Sequence, residues 1–459
     1  MRIILAIFFG CCTVICVGQH QEKVDFIHAQ VTINLNPIEK KVTGNVAYNF
    51  KVKKQVDSIF LDAKNMELAS VTLGGKKIKY AYDNNRLIIK KRFKASTRHT
   101  VEIAYETKPK QTVYFLGWED EDPDNDQIWT QGQGKYTSHW LPSFDDMNEK
   151  VEFDVTLFFK EDYTVLSNGV LKERNTLEKG LNSWHFDMQH PMSSYLLAFA
   201  IGKYTRTDRV SASGIPLQLY SYPEDSIRIE PTFRYSKQIF DFLEHEIGVP
   251  YPWQNYKQVP VRDFLYAGME NTGTTLFSDA YVVDSIGFVD QNYVNINAHE
   301  LAHQWFGDLV TEVDASHHWL HEGFATYYAY LAEKEIFGTD YFYWKLYHSA
   351  VALEQMSSDG KGEYLTNPKA SSLTFYEKGA IALFMLKEEV GAPAFKEGVK
   401  HYLKQYKYKN VTVNSFITAV EKASGKELSN FKKVWLTGKT FPADDVFRAL
   451  AVYLSLIHI

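Results

Sequence analysis

The first half of the chain shows a period-two alternation of apolar and polar residues. Between about Val24 and Tyr204, short alternating or β-branched runs recur, for example in residues 29–35 and 151–157. Because successive side chains of a strand point to opposite faces of a sheet, this pattern predicts half-buried β-strands. Residues 83–86 separate two such runs, and their asparagines tolerate the backbone of a tight turn, so we expect a hairpin there.

Beyond Tyr204 the apolar residues recur every three or four positions, as in helices that bury one face. The change from strands to helices predicts two domains that meet near a polar stretch at 205–208. We therefore expect a multidomain protein in which an all-β domain, residues 19–206, precedes a mainly α domain, residues 207–445. The predicted helices cover residues 233–247, 292–306, 323–337, 378–390, 393–406 and 413–423.

The two ends of the chain carry apolar segments of another kind. Arg2 precedes a mostly apolar run of 15 residues, and small or polar residues follow it. A bilayer-spanning helix needs about 20 apolar residues, so we interpret residues 1–18 as a cleaved secretory signal peptide. A retained membrane anchor is the less favoured alternative. We thus expect a secreted or periplasmic protein for which membrane association is not required, and we interpret residues 446–459 as the truncated start of a missing C-terminal region.

Composition narrows the classes of partner and the sources of stability. The 459 residues have a formal net charge of -6, and no long stripe of lysine and arginine offers a surface to a polyanion, so we expect no nucleic acid partner. All three cysteines lie in the predicted signal peptide. The mature chain is therefore expected to depend on packing and bound metal rather than on disulfides.

One segment of the second half carries a metal-binding pattern. His299 and His303 are four residues apart, so on a helix both imidazoles leave the same face. Catalytic zinc usually takes three protein ligands and keeps the fourth position for water, which makes Glu322, after 18 intervening residues, the candidate third ligand. Glu300 lies beside His299, and we predict that it acts as general base rather than ligand. The pattern predicts one zinc ion per chain.

Three further histidines lie between the predicted ligands. His317, His318 and His321 have no helical register with the histidine pair of the metal motif. We therefore expect them at the surface or behind the ligands rather than on the metal.

A second motif, Ala267-Gly268-Met269-Glu270-Asn271, precedes the metal motif. Together the two motifs resemble the aminopeptidase N family of gluzincins. Residues 191–199 and 376–380 resemble further segments of that family, and the resemblance spans roughly residues 25–440. It implies that the mainly α domain is a thermolysin-like catalytic domain. It also implies a zinc metalloaminopeptidase, which removes single residues from peptides with a free amino terminus.

The resemblance also implies roles for individual residues. Glu270 would bind the α-ammonium group of the substrate, and Tyr376 would donate a hydrogen bond to the tetrahedral oxyanion. Both roles agree with the chemistry, because a carboxylate favours a cationic amine and a phenol stabilises a developing negative charge. Gln133 would line the pocket for the first residue, although Gln131 offers the same side chain nearby. The remaining substrate-binding residues of the second motif would be Gly268, Met269 and Asn271.

This sequence departs from the family's pattern in three places. Ala267 replaces the usual leading glycine, His321 stands where asparagine is common, and we expect the cavity to lack the helical C-terminal domain that normally closes it.

Other functions stay open: a thermolysin-type endopeptidase, an epoxide hydrolase on the same scaffold, or a catalytically inactive zincin that acts as a binding module. Glu270 argues against the endopeptidase, and the complete set of ligands and base argues against the inactive zincin.

Overall fold

The computed structural model describes residues 21–454. The predicted signal peptide at residues 1–18 and the last five residues therefore lie outside the described residues. The described part consists of a β-rich region followed by a region that is mainly helical, which confirms the predicted order of the two regions. Within residues 21–454, no helix is both long enough and apolar enough to cross a bilayer.

The first region is built from strands whose side chains alternate between buried and exposed, as their period-two pattern predicts. Its strands are β1 (Val24–Asn36), β2 (Lys41–Val52), β3 (Val56–Asp62), β4 (Glu67–Leu73), β5 (Lys76–Lys77), β6 (Ala81–Tyr82), β7 (Arg86–Phe93), β8 (Arg98–Thr107), β9 (Val113–Leu116), β10 (Gln127–Thr130), β11 (Lys150–Lys160), β12 (Thr164–Ser167), β13 (Val170–Thr176), β14 (Leu181–Asp187), β15 (Met192–Ser193) and β16 (Phe199–Gly202).

A large sheet in the order β13-β14-β11-β1-β2-β8-β4-β5 organises this region, and β15 pairs with β11. Its strand β1 is antiparallel to β2 and parallel to β11. Smaller sheets, β3-β7-β6 and β12-β16-β10-β9, share its apolar core. The predicted hairpin is confirmed, because β6 and β7 are antiparallel and Asn84 between them has a positive φ of 66°.

The second region opens with a sheet that the helical pattern did not predict. The strands of this region are β17 (Thr205–Val210), β18 (Pro216–Ser221), β19 (Tyr256–Val261), β20 (Gly268–Met269), β21 (Thr274–Ser278), β22 (Val310–Glu312) and β23 (Lys409–Val411). The sheet has the order β17-β18-β19-β21-β20, and among the described residues β20 forms its edge. The predicted boundary between residues 206 and 207 falls inside β17, which pairs with β18.

The helices include all six that the sequence predicted. They are α1 (Ile229–Phe233), α2 (Ser236–Ile247), α3 (Val294–His303), α4 (Trp319–Phe337), α5 (Thr339–Ser358), α6 (Gly379–Val390), α7 (Ala392–Gln405), α8 (Val413–Ser424), α9 (Ser429–Phe431) and α10 (Ala443–Ala451). A π-helical turn, Thr374–Lys378, leads directly into α6. The long helix α5 was not predicted.

Helix α4 lies at the centre of the second region. Every residue from Trp319 to Glu333 is buried, so the helix is enclosed on all sides instead of burying one face. The described end of the chain packs nearby, since Val446 and Leu450 of α10 are fully buried and Tyr453 stacks on Tyr343 of α5 at 4.2 Å. Residues 446–454 therefore pack against the helical region, and the assignment of residues 446–459 to the start of a further region stays a prediction.

Candidate metal centre and adjoining cavities

Two neighbouring helices bring the three predicted ligands together. His299 and His303 leave one face of α3, and Glu322 lies in the first turn of α4. The Nε2 atoms of the two histidines are 3.0 Å apart. Glu322 Oε2 lies 3.3 Å from His299 Nε2 and 3.4 Å from His303 Nε2. The three ligand atoms thus converge on one point.

The separations of these atoms fit a single tetrahedral metal ion. Zinc binds imidazole nitrogen and carboxylate oxygen at about 2.0–2.1 Å, so neighbouring ligands of a tetrahedron lie about 3.3 Å apart. In addition, His303 Nδ1 lies 2.9 Å from the carbonyl oxygen of Phe306. A proton on Nδ1 is donated to that carbonyl, which leaves the lone pair of Nε2 for a metal. The donor set therefore suits zinc.

Glu300 lies on α3 beside the predicted ligands, and its side chain lies against strand β20. Strand β20 passes directly over its carboxylate, because a Cβ atom on Gly268 would lie only 2.5 Å from Glu300 Oε1. Burial raises the pKa of Glu300 well above its ordinary value. A glycine at position 268 is thus what allows this carboxyl group to keep its place.

Two adjoining cavities open at this centre. The ligand cavity, of about 300 Å³, is lined by the three ligands together with Gly268, Glu300 and Tyr376. The aromatic cavity has a volume of about 350 Å³. Gln133 and Glu270 line both cavities, so they stand where the two meet. The apolar and aromatic walls of the second cavity are formed by Tyr136, Phe144, Met147, Tyr195, Pro368 and Phe375.

Glu270 is buried and Tyr376 is partly buried. Burial raises the pKa of the Glu270 carboxyl group. Tyr376 lies in the π-helical turn before α6, and its ring is parallel to that of His299 with centroids 5.5 Å apart. Burial also raises the pKa of Tyr376, so its hydroxyl group keeps its proton and remains a hydrogen-bond donor.

The structure distinguishes the two glutamines that the sequence left open. Gln133 lines both cavities, whereas Gln131 lies behind it, accepts a hydrogen bond from the Gln133 N–H at 2.6 Å and donates to Met269 Sδ at 3.4 Å. Met269 and Asn271 are buried, and the side-chain amide of Asn271 donates to the carbonyl of Leu196 at 3.3 Å. Neither side chain is among those that line the ligand cavity or the aromatic cavity, and the role of both residues in substrate binding stays a prediction.

Sequence reasoning missed Glu312, which is linked to the predicted ligand Glu322 through His318. Glu312, at the end of β22, lies 3.1 Å from His318 Nδ1, and His318 Nε2 lies 3.4 Å from Glu322 Oε1. The other two intervening histidines point elsewhere: His317 Nδ1 accepts from the Val413 N–H, and His321 Nε2 accepts from the Glu312 N–H. The one signal in the sequence for this link was the four-residue spacing of His318 and Glu322, which places the two side chains on one helix face.

The chain matches the family models of two known domains. Residues 25–196 match the Peptidase M1 N-terminal domain, and residues 232–435 match the Peptidase family M1 domain. The chain belongs to peptidase family M1. The two matches correspond to the β-rich region and to the region that carries the metal motif, and they confirm the resemblance inferred from the motifs.

Several relatives of this M1 chain are aminopeptidases by name. It is 29% identical to glutamyl aminopeptidase of Rattus norvegicus over 320 residues, which cover 66% of this chain and 33% of the relative. It is 27% identical to leucyl aminopeptidase of Saccharolobus solfataricus over 417 residues, which cover 87% of this chain and 52% of the relative. The M1 chain thus spans between a third and about half of the length of these relatives.

Solved structures with the same fold come from Deinococcus radiodurans. An M1 zinc metallopeptidase of that organism superposes with a TM-score of 0.76 at 20% identity, over 92% of this M1 chain and 95% of the other. A mutant of that protein bound to a Tyr-Ser-Ala substrate gives the same TM-score. At this identity the likeness establishes the fold, and it confirms a β domain followed by a mainly α domain.

Proposed function

We propose that this chain is a zinc-dependent aminopeptidase, which hydrolyses the first peptide bond of peptides with a free amino terminus. The observation that carries the proposal is the position of Glu270. Its buried carboxyl group stands where the ligand cavity and the aromatic cavity meet. A peptide whose ammonium group met Glu270 would place its first side chain in the aromatic cavity and its first carbonyl group in the ligand cavity.

The burial of Glu270 favours a cationic amine over an internal peptide. A carboxylate removed from water is poorly solvated, so an ammonium group offsets the cost of its charge. A peptide without a free amine at this point would leave that charge without a partner. This argument supports an aminopeptidase over a thermolysin-type endopeptidase.

The ligand cavity contains the groups that peptide hydrolysis requires. His299, His303 and Glu322 would hold one zinc ion, and their separations of 3.0 to 3.4 Å support this assignment. When bound, a zinc ion lowers the pKa of a water ligand and polarises a carbonyl oxygen. The complete set of groups supports an enzyme over a catalytically inactive zincin.

Two protein groups would carry the proton and the developing charge. Glu300 takes a proton from the attacking water and passes it to the nitrogen of the leaving amine, a role that suits a carboxyl group whose pKa is raised by burial. The hydroxyl group of Tyr376 donates a hydrogen bond to the carbonyl oxygen as negative charge builds up there.

The test compares a fluorogenic alanyl amide with its N-acetylated form. We expect cleavage of the free-amine substrate alone, its loss after treatment with a zinc chelator, and its return when zinc is added. Equal cleavage of both substrates would contradict the proposal and favour an endopeptidase. Cleavage of neither substrate by zinc-loaded protein would favour the inactive zincin.

We also propose that the chain is exported to the periplasm or the medium. The support is the sequence pattern of Arg2 followed by an apolar run too short to span a bilayer. Amino-terminal sequencing of the protein recovered from the periplasm or the medium is expected to begin at Gln19. Protein that keeps Met1 and stays in the cytoplasm would contradict this proposal.

A further inference from the structure

The two carboxylate oxygens of Glu322 have different neighbours. Oε2 faces the metal position, 3.3 Å from His299 Nε2 and 3.4 Å from His303 Nε2. Oε1 instead lies 3.4 Å from His318 Nε2. Glu322 therefore presents one oxygen to the predicted ion and the other to a histidine one turn earlier.

His318 is itself held by a second buried carboxyl group. Its Nδ1 atom lies 3.1 Å and 3.3 Å from the two carboxyl oxygens of Glu312. The backbone of Glu312 is fixed twice, since its N–H donates to His321 Nε2 at 2.8 Å and its carbonyl accepts from the side chain of Asn410 at 3.1 Å. The ring of His318 also packs edge-on against Phe375, with centroids 5.0 Å apart. Both ring nitrogens thus face a carboxyl group in a fixed position.

The contact between His318 and Glu322 stabilises the ligand only when Nε2 carries a proton. A bare Nε2 would direct its lone pair at a carboxylate oxygen. With a proton on Nε2, the imidazole forms an attractive charge contact with Oε1 at 3.4 Å, and Glu312 holds the ring in this orientation from the opposite side. Metal ligands in proteins are commonly oriented by such neighbours, which do not touch the metal.

We propose that His318 is a positioning residue that holds Glu322 to the metal through a single oxygen. With Oε1 engaged by His318, only Oε2 is free for the ion. A glutamate bound through both oxygens would occupy a further coordination position, and a catalytic zinc site keeps that position open for water. This inference rests on the proposed zinc site, but its test does not depend on peptide cleavage.

A competing explanation is a second metal ion held by Glu312, His318 and His321, whose potential ligand atoms lie within 4.8 Å of one another. The hydrogen bonds argue against it. His321 Nε2 accepts from a backbone N–H, so a neutral His321 carries its proton on Nδ1, the nitrogen that faces Glu312. That nitrogen has no lone pair to offer a cation.

The test measures zinc affinity by competition with a chelating dye, without a substrate. We expect His318→Leu to bind zinc about 10- to 100-fold more weakly than the unaltered chain, the usual effect of removing a group that orients a ligand. His318→Gln restores an N–H donor at the same place and is expected to recover most of the affinity. The matched control is His317→Leu, because His317 bonds to the Val413 N–H rather than to a ligand, and it should bind zinc normally.

A spectroscopic measurement reports on the mode of ligation directly. In the cobalt-substituted protein, a change of Glu322 from one to two bound oxygens raises the coordination number and weakens the visible d–d absorption. We expect this weakening in His318→Leu and normal absorption in His318→Gln and His317→Leu.

Three results would overturn the inference. The first is normal zinc affinity and a normal cobalt spectrum in His318→Leu. The second is equally weak zinc binding by His318→Leu and His318→Gln, because the N–H group that faces Oε1 would then not matter. The third is a stoichiometry of two zinc ions that falls to one in His318→Leu, which would make His318 a ligand of a second ion. If the unaltered chain binds zinc but cleaves no peptide, the proposed activity fails and this inference can still be decided.

Discussion

Gly323 and Gly379 touch where α4 crosses the start of α6. A Cβ atom on Gly323 would lie 2.9 Å from the Cα atom of Gly379, and one on Gly379 would lie 2.7 Å from the Cα atom of Gly323. Gly323 directly follows the ligand Glu322, and Gly379 comes three residues after Tyr376. The close contact of the two backbones therefore sets the distance between a metal ligand and the phenol proposed to act beside it.

The substitution Gly323→Ala is expected to destabilise the protein although alanine is the better helix former. The added methyl group forces two packed backbones apart, which costs about 1–3 kcal/mol and exceeds the gain of about 1 kcal/mol in helix propensity. Denaturant unfolding should show a lower free energy of unfolding, and kcat should fall because Glu322 and Tyr376 move apart. Gly287→Ala serves as the control, since a Cβ there meets its nearest neighbour at an ordinary 3.5 Å. An equal effect of both substitutions would contradict the packing argument.

The substitution Gly268→Ala is expected to reduce kcat while leaving zinc in place. The new methyl group would occupy the position of the Glu300 carboxylate, and a displacement of about 1 Å in such a group commonly costs about 100-fold in rate. The three atoms nearest to the new methyl group all belong to Glu300 and none to a predicted metal ligand, so metal analysis should find one zinc per chain. Turnover at the rate of the unaltered chain would show that Glu300 can move aside without consequence and would weaken its assignment as base.

The substitution Glu300→Gln is expected to lower kcat by about 10²- to 10⁴-fold, the range typical of a lost general base. Glutamine has nearly the same size and cannot accept the proton of water. Because the buried carboxyl group is replaced by a neutral amide, the free energy of unfolding should not fall. Zinc content, measured in the same sample, should be unchanged. Retained turnover would refute the role of Glu300.

The substitution Glu270→Gln is expected to change selectivity more than chemistry. A hydrogen bond to a charged group contributes about 1.5–3 kcal/mol, so kcat/KM for a free-amine substrate should fall by about 10- to 100-fold. The N-acetylated substrate has no ammonium group and should stay uncleaved by both forms, so the preference for a free amine is expected to shrink through this loss alone. An unchanged kcat/KM for the free-amine substrate would mean that Glu270 does not recognise the amine.

The substitution Ala315→Phe is expected to restrict which amino acids the enzyme accepts as the first residue of a substrate. Ala315 lies in an exposed turn and lines the aromatic cavity, so a phenyl ring there would occupy space proposed for the first side chain. We expect kcat/KM to fall about tenfold for a phenylalanyl amide and little for an alanyl amide. Equal effects on the two substrates would place the first side chain outside this cavity.

Much of the architecture was readable from periodicity, and the exceptions have identifiable causes. In the six predicted helices, apolar residues recur regularly at every third or fourth position. The hairpin at Asn84 was indicated by residues that tolerate a positive φ. Helix α5 was missed because aromatic residues are mixed with polar ones along its first half and no regular apolar spacing results. The sheet of β17 to β21 was missed because β19 is buried on both faces and shows no alternation.

The sequence by itself identified the candidate ligand pair and the candidate base, because their relationship is local. A helix carries His299 and His303 to one face whatever surrounds it, and Glu300 follows from adjacency. Glu322 could also be named, since its spacing from the pair is part of the recognised motif.

Only the tertiary structure decided which distant residues support these groups. Glu312, which contacts His318, is held in place by β23, a strand that lies about a hundred residues further along the chain and pairs with β22. The position of Gly268 over Glu300 and the contact of Gly323 with Gly379 also join residues that are far apart in the sequence. The burial of Met269 and Asn271 likewise follows from the packing around them. Such contacts depend on how packed elements meet in space, and no local period or spacing encodes them.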